Sequence, residues 1–186
     1  MSDRTHPSSP RADDPVVADL LGRCTLPPAG TPVTCAVSGG ADSSALLALA
    51  VAAGLDVTAV HVDHGLRPGS ANEAEGVQRL ASRWGAAFRS EQVRVPQGAD
   101  LEARSRDARR SVLPPDALFG HTADDQAETV LLRLLRGTGP TGLAAMRPAQ
   151  HPLLALRRAE TEQLCAHLGV APFESAAEAL RLTPRS

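Results

Sequence analysis

The segment from Ser38 to Ser44 joins an apolar stretch directly to a helix-forming one and reads Ser-Gly-Gly-Ala-Asp-Ser-Ser. Its two glycines let the backbone come close to a ligand, and the helix start behind them offers free N–H groups and the positive end of a helix dipole. The serine hydroxyls add further donors. We therefore predict a phosphate-binding loop. Its predicted contact residues are Ser38, Gly39, Gly40, Ala41, Asp42 and Ser43.

Asp42 is the unusual member of this loop, because phosphates repel a carboxylate unless its charge is compensated. Two roles fit the sequence. Asp42 can hold a divalent cation, with Mg²⁺ as the expected ion, between itself and the phosphates. It can also cap the helix that follows. We favour the magnesium role.

A second polar cluster, His61 to Arg67, follows the next apolar stretch. In a parallel sheet its first residues lie beside the phosphate loop, on the rim where a nucleotide would sit. A metal site is disfavoured, because alternation along a strand sends His61 and Asp63 to one face and His64 elsewhere, and no fourth ligand is near. A nucleotide contact and a structured turn both fit.

A third cluster, Gly120 to Thr129, closes a strand and opens a helix. His121, Asp125 and Glu128 are spaced so that they can fall on one side of the helix entrance. Three such groups can bind a metal, orient an ammonium group or move a proton. The alternative is a set of acids that favour the helix dipole, and Asp124 suits this alternative better than Asp125 and Glu128 do.

The helix of the third cluster is followed by the sequence Arg136-Gly137-Thr138-Gly139. An arginine at this place can bind phosphate or the carboxyl end of the helix. Both roles stay open.

These clusters require a scaffold in which strands alternate with helices. Asp14 followed by Pro15 predicts one helix start, and Gly54 predicts one helix end. Predicted helices cover residues 15–23, 44–53, 71–84, 101–110, 123–135 and 157–168, and predicted strands cover 32–37, 56–62, 87–95 and 117–120. The alternation indicates an α/β fold, a doubly wound parallel sheet with helices on both faces. We expect one domain at 15–170, between a disordered tail at 1–14 and an irregular tail at 171–186.

Composition excludes several classes of protein. The 186 residues include no lysine, so a Walker-type phosphate loop and a Schiff-base mechanism are ruled out. The three cysteines form no Cys-x-x-Cys pair, which argues against a zinc knuckle or a cysteine-held iron–sulfur site and fits a reducing cytoplasm. No run reaches membrane-spanning length.

The net charge of −2 attracts no polyanion overall, but arginines cluster in two stretches, 79–110 and 131–158. The second stretch holds five arginines and no acid. These patches can contact a phosphate backbone or form solvated helix faces.

Taken together, the strings Ser38 to Ser43, His61 to Arg67 and Gly120 to Gly139 resemble the tRNA(Ile)-lysidine synthetases, N-type ATP pyrophosphatases of the PP-loop superfamily. The resemblance covers roughly residues 15–168. Leu101 and Glu102, with Arg106 and Arg109, are similar to that family's arginine-bearing helix. The resemblance implies adenylation of C2 of the wobble cytidine of a CAU-anticodon tRNA(Ile) by ATP, release of pyrophosphate, and attack by the amino group of free L-lysine.

The resemblance also implies roles for individual residues and an adenine nucleotide alpha hydrolase fold. The phosphate loop would hold ATP phosphates and Mg²⁺, with His61 and Asp63 near the nucleoside. His121, Asp125 and Glu128 would serve the reaction centre and the incoming lysine. The resemblance further implies a catalytic role for Arg106 and nucleotide binding by Arg136 and Gly137.

The chain departs from the family pattern in several places. Arg110 stands where tyrosine is usual, His151 replaces an arginine, and Glu174 to Ser186 matches neither the Asp-Pro-Ser-Asn segment nor the Arg-Asn-arginine segment with which that family continues, as expected of a short or C-terminally truncated member. Two alternatives remain. One is another PP-loop tRNA-modifying enzyme of the thiolase type, which the missing Cys-x-x-Cys pairs disfavour. The other is a non-catalytic remnant that binds nucleotide or tRNA, and the sequence leaves open whether the chain forms a homodimer.

Overall fold

The computed structural model describes residues 9–63, 70–93, 108, 110–135, 137 and 146–172. Alternating strands and helices fill these ranges, as the sequence predicts. The elements are α1 (Pro15–Leu21), β1 (Pro32–Ala36), α2 (Ala41–Ala52), β2 (Asp56–Asp63), α3 (Ser70–Arg83), β3 (Ala87–Gln92), β4 (Leu118–Phe119), α4 (Ala123–Leu135) and α5 (Arg158–His167).

The four described strands form one parallel sheet in the order β3-β2-β1-β4. Strand β1 is central and pairs with β2 along its whole length, from Pro32 opposite Asp56 to Ala36 opposite Val60. Strand β4 pairs with the last two residues of β1 only. The expected α/β fold with a doubly wound parallel sheet is confirmed.

The two central strands β1 and β2 bury side chains on both faces of the sheet, whereas no residue of the edge strand β3 is buried. Cys35 and Ala59 belong to a large core with α1, α2, α3 and α5, whereas Ala36 and Val60 belong to a smaller cluster with Leu113 on the opposite face. Burial of both faces explains why β1 and β2 read as largely apolar runs in the sequence.

Helix α2 is the centre of the larger core and begins three residues earlier than the sequence suggested. All eight residues from Ser43 to Ala50 are buried, and α5 packs against this helix. Gly40 takes the N-cap position with extended dihedral angles, φ −70° and ψ 167°, so the helix starts at Ala41. Asp42 and Ser43 therefore lie in the first helical turn rather than in a preceding loop.

Other boundaries shift by a few residues, and one predicted element cannot be compared. Strand β4 is two residues long, shorter than the predicted 117–120, because only Leu118 and Phe119 pair with β1. Most of the predicted helix 101–110 lies outside the described residues. Helix α4 has the predicted bounds. None of the described helices combines the length and apolar character that a bilayer crossing needs.

Candidate active site

The phosphate loop is organised from within by Ser43. Its Oγ accepts hydrogen bonds from the backbone N–H groups of Ser38 and Gly39, both at 3.2 Å, and donates to the carbonyl of Gly40 at 3.0 Å. Gly39 has φ 92°, a left-handed conformation that favours glycine. The Ser43 hydroxyl is therefore used to shape the loop. An anion can still be bound by the backbone N–H groups of the first turn of α2. These groups have no carbonyl partner within the helix, because no helical turn precedes them.

Ser44, the third serine expected to face a ligand, is buried. Its Oγ has no hydrogen-bond partner among the described residues. It borders a cleft of about 190 Å³ that runs from Gly39 to Arg79 and Arg83 on α3 and to the chain after α5. Arg83, which lines this cleft, donates from Nη2 to the carbonyl oxygen of Leu168 at 3.2 Å.

Asp42 connects the phosphate loop to α5. Its Oδ1 accepts a short hydrogen bond from the hydroxyl of Thr161, and its Oδ2 lies 3.4 Å from Nε of Arg158. The carboxylate is neither fully buried nor fully exposed, because 22% of the side-chain surface remains accessible. Asp42 thus carries a compensated negative charge at the entrance of the loop.

Arg158 also reaches the third sequence cluster. Its Nη2 donates to Oδ1 of Asp125 at 2.9 Å, so one guanidinium group links Asp42 to Asp125. The other oxygen of Asp125 accepts from the backbone N–H and the hydroxyl of Thr122, at 2.9 and 3.0 Å. Asp125 therefore closes the start of α4 in the manner of a capping box. Our expectation that Asp124 suits a helix-start role better than Asp125 is wrong in this respect.

Asp124 instead joins the starts of α4 and α5. Its carboxylate accepts from Nε and Nη2 of Arg157 and from the backbone N–H of Arg158 at 2.9 Å. These hydrogen bonds, that from the Arg157 side chain first, lower the pKa of Asp124 to about 2. Asp124 is a structural anchor between the two helices.

The end of β4 touches the phosphate loop at Gly120. A Cβ atom at this position would lie 2.6 Å from the carbonyl oxygen of Asp42 and 3.0 Å from Cα of Ser43. Real Cβ atoms do not approach backbone so closely. Glycine is therefore required for the first and third sequence clusters to meet.

His121 follows Gly120 and stands beside a second histidine. Nδ1 of His121 and Nδ1 of His151 are 3.0 Å apart, and Phe119 lies against both rings. Burial, followed by the positive charges of His121 and Arg110, lowers the pKa of His151 to about 4, although Asp125 acts in the opposite direction. The unfolded chain takes up this proton near pH 6.5, so the group reduces stability as pH falls from about 6.5 to about 4.

His61, the first residue of the second cluster, supports the phosphate loop from behind. It is 3% exposed, and its Nδ1 lies 2.9 Å from the carbonyl oxygen of Val37, the residue before Ser38. Since a carbonyl only accepts, Nδ1 carries the hydrogen. Asp63 ends β2 and is half-buried. A contact of His61 or Asp63 with nucleoside stays a prediction.

The remaining predicted site residues are Glu128, Gly137, Arg106 and Arg136. Glu128 lies on α4 and is exposed. Gly137 has φ 71° and is exposed. Arg106 and Arg136 lie outside the described residues.

Sequence reasoning missed Arg158, Thr161 and His151. The available signal is the acid-free stretch 131–158, whose arginines fit either a phosphate-contacting patch or solvated helix faces. Arg157 and Arg158 in fact contact carboxylates of α2 and α4, and in the first stretch Arg79 and Arg89 pair with neighbouring glutamates. Several arginines of the two predicted patches therefore neutralise the protein's own acids.

The geometry of Asp42 is compatible with magnesium. In the described ranges no cluster of three or more His, Cys, Asp or Glu side chains converges as a metal site. Mg²⁺ needs no such cluster when substrate phosphates complete its shell, because it is commonly held by one or two carboxylates plus phosphate oxygens and water. A single carboxylate in the first turn of α2, beside amides that suit phosphate, fits this mode of binding.

Arg158→Met should lower the free energy of unfolding by about 1–2 kcal/mol, because Asp42 and Asp125 lose their shared partner while the apolar stem is retained. Chemical denaturation measures the change. Arg157→Met is the matched control, since that side chain is 69% exposed and contacts Asp124 only at the surface. Equal losses in the two variants would contradict a special role for Arg158.

Comparison with known proteins adds independent findings. The family model described as the PP-loop domain matches residues 18–181. The tRNA(Ile)-lysidine synthase of Nocardia farcinica is 48% identical over 161 residues, which is 80% of this chain and 50% of the relative. The enzyme of the same name from Rhodococcus jostii is 45% identical over 152 residues, covering 76% of this chain and 47% of the relative. The resemblance inferred from the three motifs is confirmed, and the chain spans about half the length of these curated relatives.

Solved structures agree on the fold. The U34-tRNA thiolase NcsA from Methanococcus maripaludis, determined with its [4Fe-4S] cluster, superposes with a TM-score of 0.68 at 15% identity, covering 86% of this chain and 64% of that one. The NMN synthetase from Francisella tularensis gives a TM-score of 0.52 at 19% identity, over 84% of this chain and 68% of that one. At such low identity these likenesses show a shared architecture.

Proposed function

Because the chain belongs to the PP-loop domain family, we propose that it ligates L-lysine to C2 of the wobble cytidine, position 34, of tRNA(Ile) with a CAU anticodon, using ATP and forming lysidine. The reaction proceeds through an adenylated tRNA. The observation that carries this proposal is that Gly120 contacts the phosphate loop and that Arg158 links Asp42 of this loop to Asp125 of the third cluster. The names of the relatives favour tRNA(Ile) as the substrate.

In the first step, the oxygen on C2 of cytidine attacks the α-phosphorus of ATP and pyrophosphate leaves. The phosphate loop holds the polyphosphate by the amides at the start of α2, where the helix dipole offers about half a positive charge. Asp42 is the residue that would bind Mg²⁺, which supplies neutralisation of phosphate charge when bound. The free energy of binding the ATP phosphates serves to align pyrophosphate as the leaving group, as in other phosphate-transfer sites.

In the second step, the amino group of lysine attacks C2, and AMP leaves with the oxygen. A lysine ammonium must lose a proton before its nitrogen can attack. Carboxylates at Asp125 and Glu128 attract the ammonium group, and His121 is suited to accept the proton because an imidazole titrates near neutral pH. Adenylation makes the departure of the oxygen favourable, which explains why ATP is consumed.

The cysteines weaken the thiolase alternative. Burial raises the pKa of Cys24 to about 11 and that of Cys35 and Cys165 to about 12. Sulfur chemistry requires a thiolate, and at neutral pH these thiols stay protonated. The thiolase likeness in the solved structures extends to the fold alone.

The proposal is tested by transfer of labelled L-lysine to an unmodified CAU-anticodon tRNA(Ile) transcript, with ATP and Mg²⁺. We expect label in the tRNA and one pyrophosphate for each lysine incorporated. A transcript with cytidine 34 changed to uridine is the control and should accept no lysine. A folded chain that binds ATP by calorimetry yet releases no pyrophosphate would overturn the proposal and favour the non-catalytic alternative.

A further inference from the structure

His151 contacts His121 edge-on, with ring planes crossing at 71° and centroids 4.8 Å apart. The 3.0 Å hydrogen bond joins Nδ1 of one ring to Nδ1 of the other. A neutral imidazole has one N–H and one bare nitrogen. This bond therefore requires a hydrogen on one of the two Nδ1 atoms and none on the other. The tautomer of each ring is tied to that of its neighbour.

The pair is held firmly in the fold. The backbone N–H of His151 donates to the carbonyl of Arg147 at 3.1 Å, within a turn whose Gln150 carbonyl accepts from Phe119 N–H of β4 at 2.8 Å. Phe119 also lies against both imidazole rings, with centroids 6.0 Å from His121 and 5.6 Å from His151. The same short strand thus sets the positions of both histidines.

Burial, more than the charged groups around it, lowers the pKa of His151 and keeps the ring neutral. His121 and Arg110 act against its protonation and Asp125 favours it, while burial is the largest influence. A neutral ring at position 151 can accept a hydrogen bond, which an arginine cannot.

We propose that His151 is a positioning residue for His121, accepting a hydrogen bond from its Nδ1–H and so leaving Nε2 of His121 as the nitrogen that receives a proton. This inference rests on the proposed function, in which His121 accepts a proton from the lysine ammonium. On transfer, the N–H bond of the ammonium breaks, its electron pair stays on the attacking nitrogen, and the proton bonds to Nε2. The Nδ1–H of the resulting imidazolium still donates to His151, so the hydrogen bond survives the step.

The opposite arrangement does not survive protonation. If His151 donated to a bare Nδ1 of His121, the remaining nitrogen Nε2 would already carry its hydrogen, and the incoming proton could bind only at Nδ1. The hydrogen bond would then be replaced by two facing N–H groups. The acceptor role of His151 is the one that lets His121 act as a base and stay oriented.

The test is the tautomer of His121, read from ring ¹⁵N shifts of protein labelled at histidine, with the His121→Gln spectrum providing the assignment. In the wild type we expect Nδ1 of His121 to be protonated and Nε2 bare at neutral pH. His151→Phe keeps an aromatic ring without an acceptor and should abolish this preference, whereas His151→Gln, whose amide oxygen accepts, should retain it. His167→Gln is the control, because His167 binds Asp14 at a distant helix end and its loss should leave His121 unchanged.

Kinetics then separates positioning from simple structural support. His151→Phe should lower kcat for lysine transfer by about 10- to 100-fold, part of what a general base contributes, with KM for ATP unchanged and partial rescue in His151→Gln. An Nε2-protonated His121 in the wild type, or an unchanged tautomer in His151→Phe, would overturn the inference. Absence of lysine transfer in the wild type would instead reject the proposed function, and the tautomer measurement would still decide the role of His151.

Discussion

Gly120→Ala should strongly weaken ATP binding and destabilise the fold. The added Cβ would lie 2.6 Å from the carbonyl oxygen of Asp42, 2.8 Å from its carbonyl carbon and 3.0 Å from Cα of Ser43. All three are backbone atoms, so no side chain can rotate away. Either β4 moves out or the phosphate loop is displaced, and overpacking of this kind costs about 1–3 kcal/mol. Calorimetric titration with ATP should show affinity reduced by at least about 100-fold, because the amides of α2 no longer converge.

Gly22→Ala is the matched control for this variant. A Cβ at Gly22 would meet its nearest atoms, two carbonyl oxygens, at an ordinary 3.6 Å, and the residue has a right-handed helical conformation. The two variants add the same methyl group, but only one is close to the phosphate loop. Wild-type ATP affinity in Gly120→Ala would show that the contact between β4 and the loop does not shape the nucleotide site.

Asp42→Asn should reduce pyrophosphate release and lysine transfer by at least about 100-fold, equivalent to nearly 3 kcal/mol of transition-state stabilisation. Asparagine preserves the shape of the side chain and can still accept the hydrogen bond from Thr161, so stability should change by less than about 1 kcal/mol. What is lost is the negative charge that would bind Mg²⁺. Steady-state assays at several Mg²⁺ concentrations, with a thermal melt alongside, separate the two effects.

Asp124→Asn provides the comparison for the charge change at Asp42. Asp124 also lies in the first turn of a helix and also binds an arginine of the α5 start, but it contacts neither the phosphate loop nor Thr161 in the described contacts. We expect its activity to remain within a few-fold of the wild type. An Asp42→Asn enzyme as active as Asp124→Asn would remove Asp42 from the mechanism.

The sequence predicted elements best where local signals and tertiary packing agree. Helix α4 has the predicted bounds because Thr122 and Asp125 form its start with neighbouring residues. The start of α2 was placed three residues late, because the pattern of glycines and serines suggested a loop where the helix had already begun. Strand β4 is shorter than predicted because its length depends on which residues pair with β1, which is a tertiary property.

The same distinction applies to the candidate site. Contiguous motifs identified Asp42, His121 and Asp125, but their partners Arg158 and His151 lie at least 30 residues farther along the chain. No regular sequence spacing connects Arg158 with Asp125, or His151 with His121. These pairs form because α5 packs against α2 and the 147–151 turn packs against β4. The amino-acid composition alone indicates only that this stretch is rich in arginine.

The pairing of β4 with β1 has a consequence for how the molecule acquires its site during synthesis. Cys35 and Leu118, which face each other in the sheet, are more than eighty residues apart in the chain. Contacts of such long range carry a high loop-closure entropy and form slowly. A growing chain can therefore shape its phosphate loop from β1, α2 and β2 well before Gly120, His121 and Asp125 emerge from the ribosome. Until β4 and α5 dock, the nascent chain lacks the contacts of Gly120 and Arg158 that join the phosphate loop to His121 and Asp125, so the complete candidate site is assembled late.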